Sequence, residues 1–203
     1  MATTDLALAP QVGTGDRRVV DAALTCLARW GVAKTTLDDI ARQAGISRAT
    51  AYRLYPGGKE TLLDAVVADE LARFAAGLSA ALAGTDEVED LLVTGLVHAA
   101  LALRGHEALR YLLEHEPEQV LPHVSFGRYD GFLAGAARLV APHLERFMDA
   151  EPALRTGEWV TRLLVSYTMA PSPSYDFTDA GSVRSFVRTF VLPGLVLRTT
   201  PNP

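Results

Sequence analysis

The chain is predicted to be built entirely from α-helices, on three observations. From Asp16 onward apolar residues recur at helical spacing. No run alternates β-branched and polar residues as a strand would. Glycines, prolines and capping residues interrupt the periodicity at helix-length intervals. The 203 residues, 49% hydrophobic and 21% charged, suit a globular chain that buries a sizeable core. The single cysteine, Cys26, leaves no internal disulfide to staple it.

Residues 1–15 lack periodicity and contain Pro10, Gly13 and Gly15, so a flexible arm is expected there. The first helix is expected over Arg17–Trp30, with Val20, Ala23, Leu24 and Leu27 as its apolar stripe and Gly31 as its stop. Thr36 caps a second helix. Its hydroxyl can take a free N–H of the first turn, and Asp39 stands at the reciprocal position of a capping box. Gly45 ends this helix after about eight residues, Ser47 caps a third, and Pro56 closes the third. A long fourth helix is expected from Gly58 or Lys59 to about Ala83. Further helices follow at about 87–104, 106–116, 122–149 (kinked at Pro142), 153–169 and 179–191.

Charge is unevenly distributed. The net charge is −5, yet residues 1–60 hold eight Lys/Arg against six Asp/Glu, and the remainder holds eleven against eighteen. Between Ile40 and Lys59 stand Arg42, Arg48, Arg53 and Lys59 without an acid. A basic footprint on an acidic body is compatible with double-stranded DNA as a partner. The longest conspicuous apolar run, Leu91–Leu103, is shorter than the roughly 20 residues a membrane span needs. Met1–Pro10 carries no positive charge and does not read as a secretory signal, so a cytoplasmic location is expected.

The informative stretch is TTLDDIARQAGISRATAYRLYPGGK, residues 35–59. Two short helices meet at Ala44-Gly45-Ile46, where glycine supplies the left-handed residue of a tight turn. Small Ala41 lets them cross closely, and Leu37, Ile40, Ile46, Ala51 and Tyr55 can form their shared core. This is a helix-turn-helix pattern, whose second helix enters a major groove. Ser47 can face phosphate, Arg48 can reach guanine O6 and N7 as a fork, and Thr50 can touch a base edge or thymine methyl. Arg53 shares the face of Thr50, and Tyr52 can meet phosphate or sugar. Thr35, Thr36 and Lys59 open the flanking helices and can hold the DNA backbone.

Val20, Ala23, Leu27, Gly31, Thr35, Thr36, Asp39, Ile40, Ala41, Ala44, Gly45, Ile46, Ser47, Tyr52 and Lys59 together closely resemble the N-terminal domain of TetR-family transcriptional regulators. The resemblance covers about residues 17–63. The chain departs from the usual pattern at Ala51, at Leu54 and in the longer turn Pro56-Gly57-Gly58-Lys59. The resemblance implies a homodimer with a helix-turn-helix DNA-binding domain over 16–60 and a helical effector-binding and dimerisation domain over 61–203. It further implies a ligand-responsive regulator, a repressor that reads a palindromic operator and is released by a small, largely apolar effector.

In the C-terminal region, His98 lies near the apolar face of its helix and reads as a packed core histidine or a polar anchor for a ligand. Phe126, Tyr129 and Phe132 surround a stripe of Gly127, Gly131 and Gly135, read as a site of close helix packing before one of ligand room. Trp159, Leu163 and Tyr167 recur every four residues as core or dimer seam. Val183, Phe186, Val187 and Phe190 complete a four-helix dimer interface if the resemblance holds. No cofactor or metal is expected: the five histidines form no HExxH pair, Gly13-Thr14-Gly15 lacks a third glycine, and the Gly58-Lys59 pair lacks the Ser/Thr of a phosphate loop. No catalytic constellation is evident, so an enzyme is not expected. The alternative function is a helical small-molecule-binding protein or enzyme with a purely structural N-terminal hairpin.

Overall fold

The computed structural model describes residues 14–119 and 129–198, with side chains over 17–119 and 131–198. The expected arm over residues 1–15 falls almost wholly outside this range, as do Phe126, Gly127 and the Tyr129 side chain. The described residues form nine α-helices and no strand: α1 Thr14–Lys34, α2 Leu37–Ala44, α3 Arg48–Leu54, α4 Lys59–Leu82, α5 Val88–Gly105, α6 Glu107–His115, α7 Tyr129–Leu144, α8 Ala150–Met169 and α9 Ala180–Phe186. A π-helical turn, Val187–Val191, and a 3₁₀ turn, Leu192–Gly194, extend α9; Pro193 sits where the helix gives way.

Capping chemistry sets the boundaries. Gly31 interrupts α1 with φ 77° and ψ −179°, a region open essentially to glycine alone. Thr36 and Asp39 complete the capping box of α2, and Gly45 leaves it at φ 67°. Ser47 caps α3 through the Thr50 amide at 3.1 Å. Histidine is an unusual N-cap, yet His106 Nδ1 accepts from the Leu109 amide at 3.1 Å to open α6.

The chain divides into two compact units. One comprises residues up to Arg73 together with the segment from His106; the other comprises Phe74–Gly105 and the C-terminal segment from Val124. This differs from the expected boundary near residue 60. The reason is burial: Leu62 and Val66 of α4 join Val19, Val20, Ala23, Cys26, Leu37, Ile40, Ala41, Ala51 and Tyr55 in the first core. Helix α6, from the middle of the sequence, packs on α1. Cys26 is part of this core, and burial pushes its thiol pKa up.

In the second unit α7 and α8 form the most intimate pair. A Cβ on Gly157 would lie 3.2 Å from the Ala137 backbone, so glycine sets this approach. The expectation of close packing at the α7 glycines is corrected: a Cβ on Gly131 or Gly135 would meet no atom of the described residues within 4 Å. Val183, Val187 and Val191 are fully buried with Leu91, Leu144 and Met148. Tyr167 stacks on Phe177 at 4.5 Å, and Phe186 meets both edge-on.

Candidate nucleic-acid interface

The interface is built on the joint between α2 and α3. Gly45 turns the chain, and its N–H donates to the Ala41 and Arg42 carbonyls. Arg18 of α1 donates to the Ala44 carbonyl at 2.9 Å and ties this turn to the first helix. Leu37, Ile40, Ala51 and Tyr55 are buried as expected, with Ile46 packed beside them. Ala51 is completely buried, so the small residue fits the helix crossing. With one side of α3 fixed in the core, its other side presents Arg48, Tyr52 and Arg53, all exposed, with Thr50 partly so. Leu54 is 38% exposed and leaves an apolar side chain on the surface of the same short helix.

The remaining candidates divide. Ser47 is exposed, and its hydroxyl contacts Thr50 Oγ1 at 2.9 Å. Thr36 is exposed, but its hydroxyl is committed to Asp39, and that hydrogen bond holds the Asp39 carboxyl below the usual carboxylate range. Thr35 departs from expectation: it is fully buried and donates to the Gly31 carbonyl at 2.6 Å, so it stabilises the α1–α2 joint from within. Lys59 Nζ donates to the Val32 carbonyl at 3.0 Å. The residue added before Lys59 is absorbed by a turn in which Gly58 takes φ 73° and donates to the Tyr55 carbonyl at 2.8 Å.

Two features escape the linear pattern. The acid-free stretch is not acid-free in space. Asp38 and Asp39, in the first turn of α2, pair with Arg48 at 3.0 Å and Arg42 at 3.2 Å. Only the helical offset from Asp38 to the start of α3 hinted at this. The second is Glu116, nearly buried at the end of α6. Its carboxylate accepts from the Val32 amide at 2.7 Å and the Ala33 amide at 3.3 Å. It thereby caps the chain just after the Gly31 kink, across more than eighty residues of sequence.

In the second unit, His98 is half-buried, with its ring 6.1 Å from Phe74 and close to Gly77. Phe132 is 40% exposed. Three expected dimer residues, Val183, Phe186 and Val187, are corrected: they are core residues of the subunit itself, facing α5 and α8. Leu163 and Tyr167 pack partly against the same core, whereas Trp159 and Phe190 remain exposed.

This geometry defines a helix-turn-helix DNA-binding protein with a separate helical unit. Residues 19–66 match the family of bacterial regulatory proteins of the TetR type. An uncharacterised HTH-type transcriptional regulator of Mycobacterium tuberculosis is 26% identical over 199 residues, covering 95% of this chain and 91% of its own. The fold is also that of the TetR-family repressor AlkX from Dietzia sp. strain DQ12-45-1b, implicated in biodegradation of n-alkanes. The TM-score is 0.61 at 18% identity, over 88% of this chain and 95% of that one. The multidrug-binding protein EbrR, complexed with imidazole, gives TM-score 0.61 at 18% identity over 94% and 99%. Residues 19–66 thus match a TetR-type helix-turn-helix domain, and the chain is similar to DNA-binding transcriptional regulators of that type. Among the described residues, no helix is long and apolar enough to cross a membrane.

Proposed function

We propose that the chain is a homodimeric repressor that reads an inverted-repeat operator through α3 and is released by a small, largely apolar effector. The observation that carries this reading is the outward face of α3: Arg48, Thr50, Tyr52 and Arg53 stand clear of the core behind a Ser47 cap and a left-handed Gly45 turn. Arg48 and Arg53 read bases, while Ser47, Tyr52 and the exposed flank at Thr36 hold the backbone. Two α3 helices would sit about 34–36 Å apart, or a multiple of that. Exposed Trp159, Met169 and Phe190 supply apolar surface for dimerisation. For the effector, His98 beside Phe74 is the polar anchor and Phe132 is apolar lining; the other sequence candidates, Phe126 and Tyr129, lie outside the described side chains. The names of AlkX, a repressor linked to alkanes, and of EbrR, a multidrug binder, support this class of ligand.

The test is a footprint of the purified protein on the DNA flanking its own gene, at two salt concentrations, followed by unbiased genomic selection. A short protected inverted repeat that weakens with salt is the expected result. Absence of any sequence preference in both experiments would overturn the repressor reading.

A further inference from the structure

Arg48 is the first residue of α3 and 70% exposed, yet its guanidinium is already held on two sides. Nη1 lies 3.0 Å from Asp38 Oδ2, and Cζ lies 5.4 Å over the Tyr52 ring. The carboxylate comes from a different helix, α2, so the pair spans the turn that joins the two helices. Arg42 is similarly paired with Asp39, and the Lys59 ammonium is turned onto a backbone carbonyl. Of the four cations between Ile40 and Lys59, only Arg53 has no ion pair or hydrogen bond among the described residues.

We propose that Asp38 is a specificity-determining residue that acts on DNA recognition through Arg48. The inference rests on the reading of α3 as the DNA-recognition helix. A guanidinium paired with a carboxylate brings no net charge to a phosphate, so on mixed-sequence DNA Arg48 contributes little counterion release. A correctly placed guanine offers two acceptors in the geometry of the arginine fork, which an exposed single-contact pair does not match. Asp38 is thus an internal competitor that only the correct base displaces. Tyr52 below the guanidinium limits its swing, so Arg48 is presented in one orientation. The effect of Asp38 is to lower background binding more than operator binding, which raises their ratio.

The test compares wild type, Asp38→Asn, Asp38→Glu, Arg48→Ala and Asp38→Asn/Arg48→Ala on a mixed-sequence duplex. Fluorescence anisotropy is measured across a salt series, and affinity is also measured for the operator recovered by footprinting or selection. Asp38→Asn is expected to tighten mixed-sequence binding up to about fivefold, the upper range for an exposed pair. It should also steepen the log K against log[salt] slope by about 0.9, one further phosphate neutralised. Operator affinity should change less, and Asp38→Glu should restore the wild-type slope. In the Arg48→Ala background, Asp38→Asn should leave the slope unchanged. A wild-type slope in Asp38→Asn overturns the proposal, as does an equal effect with and without Arg48. If the wild type itself binds no duplex in a salt-dependent way, the DNA reading falls and takes the proposal with it.

Discussion

Replacing Gly31 by alanine tests the joint between α1 and α2 in two separable ways. The first is backbone strain. At φ 77° and ψ −179° a side chain costs about 1–3 kcal/mol. The second is contact: a Cβ there would collide with the Glu116 carboxylate, so the carboxylate must move away. Leaving breaks its hydrogen bonds to the Val32 and Ala33 amides, which as charge-assisted bonds are worth about 1.5–3 kcal/mol. Gly31→Ala should therefore cost about 2.5–6 kcal/mol, and Glu116→Ala the second part alone. The double variant loses the carboxylate only once, so the two effects should fall short of additivity by about 1.5–3 kcal/mol. The assay is urea unfolding at fixed protein concentration in a Trp159→Phe background. Trp30, packed against the first core, then reports on this unit. Strict additivity would mean that the methyl group and the carboxylate never compete, refuting the joint described here.

Ser47→Ala should destabilise α3 by about 0.5–2 kcal/mol through loss of the cap on Thr50, measured as a shift in the same urea midpoint. Arg53→Ala should relax base preference at one position per half-site, by about 1–3 kcal/mol in a binding-site selection, and an unchanged selection profile would remove Arg53 from the readers. Folding lowers the Asp39 pKa, chiefly through the Thr36 hydroxyl. Its contribution is therefore complete above the ordinary value of 3.8 and lost as pH falls through the folded value. Asp39→Asn should flatten the acid limb of a pH–stability curve and leave its slope between about pH 6 and 8 unaltered. Gly157→Val should push α8 away from Ala137 at a cost of about 1–3 kcal/mol. Phe190→Ser should weaken self-association in sedimentation with little effect on subunit stability, whereas Val187→Ala should do the reverse, by about 1–2 kcal/mol for its fully buried side chain.

Local chemistry was readable from the sequence and long-range geometry was not. Thr36, Asp39, Gly45 and Ser47 act on residues within four positions of themselves, so spacing alone placed them, and Gly31 announced its own kink. Periodicity likewise marked Val183, Phe186 and Val187 as one apolar face. It did not say what that face meets, and the face turns inward onto α5 rather than toward a partner. Charge counting along the chain missed the Asp38–Arg48 pair because the acid lies two residues outside the counted window and returns through the turn. Thr35 looked like a surface hydroxyl, since nothing nearby revealed that the Gly31 carbonyl would receive it. Glu116 had no local signature at all, because its partners are amides at the other end of the unit.

The reach of Glu116 also bears on the order in which the chain becomes structured. A ribosome releases α1, α2 and α3 long before α6, and Phe74–Gly105, a piece of the other unit, emerges in between. Until residue 116 is free, the Val32 and Ala33 amides lack their carboxylate and α1 lacks the helix that packs on it. The N-terminal unit is therefore completed late although it begins early, with a contact order set by a loop of more than eighty residues. A fragment ending near residue 60 would hold every residue of the recognition helix yet stop short of the segment that closes its fold.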